Sequence, residues 1–277
     1  YRIAIIADPQ ITDYYSYRHT GLLLSLTNFF TDQYATKNYW YLLQAQRPDA
    51  VLILGDLFDG GRHWEDELGD PPASVLPAYH YRPLFRYVAG NHDIGVGATI
   101  IPAAVTRFIR EFGPLNYRWS VAGHDLLILD NLSLENTSIP ELAANSTAFL
   151  DQMEREILST MAPRLLFTHI PLYRPPHTDC GPRRNRGHEI NQKFGFQYQN
   201  LVREPITNRI LRQTQPEVVF TGDDHDQCEV THTISPPPLS QLDRDEVNRT
   251  IPEYTLGSYS MAGGNTRPSY TLLTLHH

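Results

Sequence analysis

Long apolar runs are missing from this chain. The longest candidate, residues 22–30, is broken by Ser25, Thr27 and Asn28. It falls well short of the roughly 20 apolar residues that span a bilayer. Basic runs are missing too. The 23 Lys and Arg are outnumbered by 31 Asp and Glu, for a net charge of −8, which argues against a nucleic-acid backbone as partner. Cysteine is scarce, with only Cys180 and Cys228 present. Paired, they would suit an oxidising compartment; otherwise they are two unrelated buried thiols. No repeat and no linker divides the 277 residues, so a single domain over 1–277 is expected. The Pro-rich stretches 70–83 and 235–239 read as surface loops. Tyr1 already belongs to a strand, so no signal peptide is expected within the chain.

Sequons are in mild excess. Asn131, Asn136, Asn145 and Asn248 each begin an Asn-X-Ser/Thr triplet. The first three share a polar stretch that reads as a surface loop, which points to a glycoprotein of the secretory compartment.

Five short pieces concentrate the chemistry. They are Asp8-Pro9-Gln10, Gly55-Asp56-Leu57-Phe58-Asp59, Gly90-Asn91-His92-Asp93, Thr168-His169 and Gly222-Asp223-Asp224-His225. Four follow a run that reads as a buried strand, 3–7, 51–54, 85–89 and 218–221, and Thr168-His169 follows residues 164–167. Buried strands that deliver ligands from their ends have this pattern. Any one piece is weak, and the ordered set of five is strong. Between them, residues 32–46, 101–112, 146–159 and 200–213 read as helices, with Phe149, Leu150, Met153, Ile157 and Leu158 forming one apolar face. Residues 117–121 and 125–130 read as a hairpin. The tail, 229–233, 253–256 and 270–275, is β-rich. Alternating strands and helices followed by a mostly antiparallel second half imply an α/β fold of two packed sheets flanked by helices.

These residues resemble those of the calcineurin-like metallophosphoesterases over nearly the whole chain. The resemblance implies a four-layer αββα sandwich with two mixed β-sheets and a site for two divalent ions. One ion would take Asp8, Gln10, Asp56 and His225. The other would take Asp56 as a bridge, with Asn91, His169 and Asp223. Gln10 and Asp223 stand where the family commonly has His. The set is therefore oxygen-rich, and harder donors suit Mn²⁺ or Mg²⁺ better than Zn²⁺; Mn²⁺ is expected. The resemblance also implies that His92, held by Asp59, protonates the leaving oxygen while a hydroxide bridging the ions attacks phosphorus. Asp93, Asp224 and Asp226 each read, taken singly, as solvated.

Asp8-Pro9-Gln10, the run Leu57 to Arg62, the run His169 to Arg174 and the run Gly222 to Glu229 together resemble one branch of that family. Its members remodel glycosylphosphatidylinositol (GPI) anchors, removing ethanolamine phosphate from a mannose on the lumenal side of the ER or Golgi. The resemblance implies a GPI-anchored glycolipid or protein substrate, a membrane anchor outside this chain and a monomer. Residues 171–200, rich in Pro, Gly and Arg, read as an active-site lid or insert. Arg174, Arg183 and Arg184 are its expected substrate contacts. A Cys180–Cys228 disulfide would tether it over the ions. Asp13, Tyr14, Tyr15 and Asp226 are the nearest candidates for the ethanolamine ammonium. Two alternatives stand beside this reading: a general lumenal phosphomonoesterase or nucleotide phosphodiesterase, and a noncatalytic Mn²⁺-binding protein. A pure metal binder would need neither His92 nor Asp59.

Overall fold

A computed structural model describes residues 1–16, 21–63, 83–136, 138–157, 159, 161–234, 248–261 and 268–276. The two Pro-rich stretches expected as loops lie largely outside these residues, as does Leu158. The first sheet has four strands in the order β12 (Thr271–Thr274), β1 (Arg2–Ile6), β2 (Ala50–Leu54) and β3 (Leu84–Val88). β1, β2 and β3 are parallel, and β12 returns antiparallel along β1. The second sheet has six: β10 (Cys228–Ile234), β11 (Arg249–Thr255), β9 (Val218–Thr221), β6 (Arg164–Phe167), β5 (His124–Ile128) and β4 (Tyr117–Val121).

Strand direction in the second sheet corrects the sequence reading. Its interior, β11, β9, β6 and β5, is parallel, and only the outer pairs β10–β11 and β4–β5 are antiparallel. Helices make the crossovers. α4 (Pro140–Arg155) separates β5 from β6, and α5 (Glu204–Thr214) separates β6 from β9. Parallel neighbours need such connections.

Alternation along the strands builds four layers. Ile3 and Ile5 of β1, Leu52 and Leu54 of β2, Leu126 and Ile128 of β5, and Leu165 and Phe167 of β6 form one core between the sheets. The intervening residues face outward. Ala4, Ile6, Val51 and Ile53 belong to the cluster that holds Tyr39, Leu42 and Leu43 of α1 (Gly21–Gln46). Leu127, Leu166 and Val219 join Leu150 and Met153 of α4 and Ile210 and Leu211 of α5 in that same cluster. Both faces of each sheet are covered, which is why these strands read as continuous apolar runs. The result is the expected αββα sandwich with two mixed sheets.

Two helices start earlier than their periodicity predicts. α1 begins at Gly21 rather than residue 32, because its first turns carry Leu22, Leu23, Phe29 and Phe30 on the exposed side and so show no apolar stripe. α4 begins at Pro140, a residue whose fixed φ and missing N–H suit a helix's first turn.

Candidate metal centre

Five parallel strands deliver their carboxyl ends to one place. Asp8 and Gln10 follow β1, and Asp56 and Asp59 follow β2. Asn91 and His92 follow β3, His169 follows β6, and Asp223 and His225 follow β9. Ligand sites in α/β folds form at such ends. The backbone there is held in unusual shapes. Asp8, Gln10, Asp56, Asp223 and His225 all have positive φ, between 40° and 66°. Each such non-glycine conformation costs of order 1–3 kcal/mol and persists only where surroundings demand it.

His169 is the geometric centre. Its Nδ1 donates to the Leu54 carbonyl at 2.6 Å, which turns Nε2 toward the site. Burial would lower its pKa, but Asp56, Asp8 and Asp223 raise it well above the usual range, so a cation binding at Nε2 would displace a proton. Around Nε2 stand Asn91 Oδ1 at 3.0 Å, Asp56 Oδ1 at 3.3 Å and Asp223 Oδ1 at 3.6 Å. Four donor atoms from four strand ends thus face one point. Asp8, Asp56 and His169 also bring one ligand atom each within 4.8 Å of one another. Gln10 turns its amide toward Asp56 Oδ2 at 3.5 Å. His225 is not part of that tight group among the described residues, but it sits in the field of Asp56, His92 and His169.

These residues fit a cation site. Asp8 is fully buried, and its Oδ2 accepts no hydrogen bond among the described residues. A buried carboxylate oxygen without a partner is costly unless an ion takes it. Burial drives the Asp8 carboxyl far above its ordinary range, against the pull of His169. It pushes Asp223 up to about 7, with Asp56 adding to the shift. Burial also carries His225 down to about 4, so its imidazole is neutral, the form that binds a metal. Asp56 moves the other way: burial opposes ionisation, but His92 and His169 together hold its carboxyl well below the usual range. Asp56, Asn91, His169 and Asp223 could hold one divalent ion. Asp8, Gln10 and Asp56, with His225, could hold a second beside it.

His92 stands at the edge of this cluster. Its Nδ1 faces the Asp59 carbonyl at 2.5 Å and the Asp59 carboxylate at 3.3 Å. Its Nε2 is 3.9 Å from Asp56 Oδ2 and so points inward. Burial alone would lower its pKa, but Asp56 and the bond to Asp59 outweigh that and raise it to about 9. A protonated imidazole aimed at the cluster is a proton donor in waiting.

Loop packing leaves no room for error. A Cβ on Gly90 would fall on the Asp56 backbone nitrogen and carboxylate. Gly90→Ala is expected to cost about 1–3 kcal/mol through overpacking and to displace Asp56 from the cluster. Thermal melts with and without added Mn²⁺ check this. A variant that melts like wild type and gains the same increment from metal would show that the two loops tolerate separation.

Several expected residues have other employment. Asp93, Asp224 and Asp226 are not solvated. Asp93 accepts from the amides of Leu57 and Gly90 at 2.9 Å each and knits two ligand loops together. Asp224 pairs with Arg184 at 2.5 Å. Asp226, 1% exposed, accepts from the Asn185, Arg186 and Gln227 amides, so it anchors the insert and offers nothing to an ammonium. Arg174 is buried against Glu253 at 2.8 Å and also bonds the Leu172 carbonyl, which removes it from substrate contact. Arg183 is mostly exposed and lies 3.2 Å from Glu229. Asp13 caps its own turn, accepting from Tyr15 N at 2.8 Å and Gly60 N at 3.0 Å. Tyr14 is 65% exposed and packs edge-on against Tyr15. Cys180 and Cys228 form a disulfide that ties the insert to the start of β10.

The sequons divide. Asn145 and Asn248 are exposed. Asn131 and Asn136 are buried, contrary to the surface loop expected for them. The Asn131 amide donates to the Ile170 carbonyl at 2.7 Å, and Asn136 Oδ1 caps the approach to α4 through Ser138 N and Ile139 N at 2.8 Å each. A glycan is built on Nδ2, which at Asn131 is committed to the Ile170 carbonyl and at Asn136 is itself buried. Two residues that sequence reasoning did not assign also reach the site: Arg62 donates to the Asn91 carbonyl, and Gln197 accepts from the Asn91 side chain, each at 3.0 Å. Arg62 was visible only as the end of the run from Leu57. Gln197 carries no local signal.

Grouped carboxylates and imidazoles of this kind serve metal-assisted hydrolysis, and comparison with known proteins agrees on the class, metal-dependent phosphoester hydrolases. The chain belongs to the calcineurin-like phosphoesterase family, whose profile matches residues 1–227 and so takes in all seven candidate ligand positions. It is 33% identical over 283 residues to Cell division control protein 1 of Saccharomyces cerevisiae, covering 100% of this chain and 56% of the yeast protein. It is 25% identical over 248 residues to Metallophosphoesterase 1 of Ailuropoda melanoleuca, covering 78% of this chain and 60% of that one. The chain thus spans little more than half the length of these relatives. The fold is similar to that of a purple acid phosphatase from yellow lupin seeds, with a TM-score of 0.50 at 10% identity over 94% of this chain and 44% of that one.

Proposed function

We propose that this domain is a phosphodiesterase that removes ethanolamine phosphate from a mannose of the GPI-anchor glycan, using two divalent ions, Mn²⁺ foremost. The observation that carries the reading is the convergence of Asn91, Asp56 and Asp223 oxygens on His169 Nε2, with His92 aimed at the same place. Oxygen donors outnumber imidazoles in the ligand set, five to two, which supports Mn²⁺ over Zn²⁺. When bound, the ions supply an activated water and neutralise charge on the phosphate oxygens.

The chain's own residues supply the rest. Asp59 holds the His92 ring, and His92 Nε2 delivers its proton to the departing alkoxide. The Leu54 carbonyl keeps His169 in the tautomer that presents Nε2. The motif resemblance to the GPI-remodelling branch supports the substrate. With Asp13 and Asp226 committed to backbone amides, the Tyr14–Tyr15 pair is left as the aromatic platform for an ammonium. The disulfide and the exposed Asn145 and Asn248 support a lumenal, glycosylated domain. No helix among the described residues is long and apolar enough to cross a membrane, and we place the anchor in other parts of the protein.

Substrate charge tests the proposal. N-acetylating the ethanolamine of an ethanolamine-phosphate mannoside removes the ammonium, and kcat/KM is expected to fall about tenfold or more. Equal rates on the two substrates, or faster hydrolysis of a cyclic nucleotide, would favour a general phosphodiesterase instead.

A further inference from the structure

The insert at 171–200 meets the ligand candidate Asn91 through Gln197. Gln197 lies in the turn between β7 (Phe194–Gly195) and β8 (Tyr198–Gln199). It is 9% exposed, while its neighbour Phe196 is 77% exposed. Its φ is 62°, a left-handed conformation that favours glycine. A glutamine stays there only if its contacts hold it, and two do. The Gln197 carbonyl accepts Asn91 Nδ2 at 3.0 Å, and its Oε1 accepts Arg62 Nε at 3.0 Å. Arg62 completes the ring by donating Nη1 to the Asn91 backbone carbonyl at 3.0 Å.

The chemistry of an amide gives this ring a purpose. An Asn side chain has one donor end and one acceptor end. With Nδ2 committed to Gln197, Oδ1 must face His169 Nε2, and oxygen is the end that a cation takes. Arg62 is a half-buried guanidinium in the field of Asp56, Asp59 and Asp93, at the rim of the same cluster. A planar fork of donors in that place suits a phosphate oxygen.

We propose that Gln197 is a positioning residue for both groups: its carbonyl sets the Asn91 amide for metal ligation, and its side chain sets the Arg62 guanidinium for the substrate phosphate. The inference rests on the metallohydrolase reading above and adds to it a role for the insert. Backbone and side chain act on different partners, so two substitutions separate them. Gln197→Gly keeps φ at 62° and the carbonyl, and loses Oε1. Gln197→Pro forces φ to about −65° and swings the carbonyl away.

Calorimetric titration of the metal-free proteins with Mn²⁺, combined with kinetics on bis(p-nitrophenyl) phosphate, reads both roles. Gln197→Gly should melt at or above the wild-type temperature, since the strain is relieved, and bind two ions as wild type does. Its KM should rise about tenfold with kcat within about threefold, the pattern of lost substrate binding. Gln197→Glu retains an oxygen for Arg62 and should restore KM. Gln197→Pro should bind one of the two ions about 10–100-fold more weakly, as for other residues that orient a ligand. An unchanged KM in the glycine variant overturns the Arg62 role, and two ions at wild-type affinity in the proline variant overturn the Asn91 role. If the proline variant fails to fold, the KM of the glycine variant decides the Arg62 role, and Gln197→Val, whose branched side chain resists a φ of 62°, takes the proline variant's place in the Mn²⁺ titration, with the same outcome deciding the Asn91 role. Wild-type protein that bound metal but hydrolysed neither this diester nor an ethanolamine-phosphate mannoside would defeat the proposed function, while the metal titrations would still judge Gln197. Wild-type protein binding no ion would overturn both.

Discussion

Asp56→Ala is expected to abolish hydrolysis and metal binding together. Asp56 would be shared by both ligand sets: Oδ1 lies 3.3 Å from His169 Nε2, and Oδ2 faces Gln10 at 3.5 Å. It also accepts the His92 amide at 2.8 Å, which keeps the third motif in place. Removing it would take a ligand from both ions at once. Wild-type protein at 100-fold excess of metal over Kd should gain about 2.7 kcal/mol of stability, and the variant should gain none. The metal-free variant need not be less stable than metal-free wild type. The Asp56 charge raises the carboxyls of Asp8, Asp93 and Asp223, so its loss relieves repulsion among them. Melts with and without Mn²⁺ check the pair of expectations. A variant stabilised by metal as strongly as wild type would show that Asp56 is not the bridge.

His92→Ala is expected to separate chemistry from binding. Both ions should stay, because none of the contacts around His169 Nε2 involves the His92 side chain. The rate on a substrate with a poor alkoxide leaving group should fall about 10²–10⁴-fold, the range for a general acid. A p-nitrophenolate leaving group needs little protonation, so that substrate should lose far less. Asp59→Asn should follow the same pattern more weakly, since the Asp59 backbone carbonyl still faces His92 Nδ1 at 2.5 Å. Wild-type turnover of the poor leaving group by His92→Ala would remove His92 from the mechanism.

The sequence was most legible where burial is two-sided. β1, β2, β6 and β9 are covered on both faces, so their apolar runs announced the strands, and the polar residue that ends each run marked the place where the candidate ligands gather. Legibility failed where polarity was mistaken for exposure. Asn131, Arg174 and Asp226 are polar or charged and were read as surface or substrate-facing, yet each is buried with its hydrogen bonds met inside. Periodicity failed at the start of α1, where Leu22, Leu23, Phe29 and Phe30 are exposed and no stripe forms. It could not give strand direction in the second sheet either, because short buried strands look alike in parallel and antiparallel company. Gln197 was out of reach for a different reason. It meets Asn91 across 106 residues, and nothing local marks a turn residue as a partner for a distant ligand.

Anomalous diffraction from crystals grown with Mn²⁺ tests the central claim most directly. Two peaks about 3.5–4 Å apart are expected, one among Asp8, Gln10, Asp56 and His225 and the other among Asp56, Asn91, His169 and Asp223. A single peak, or two peaks with Gln10 and Asp223 more than a few ångströms from either, would contradict the account.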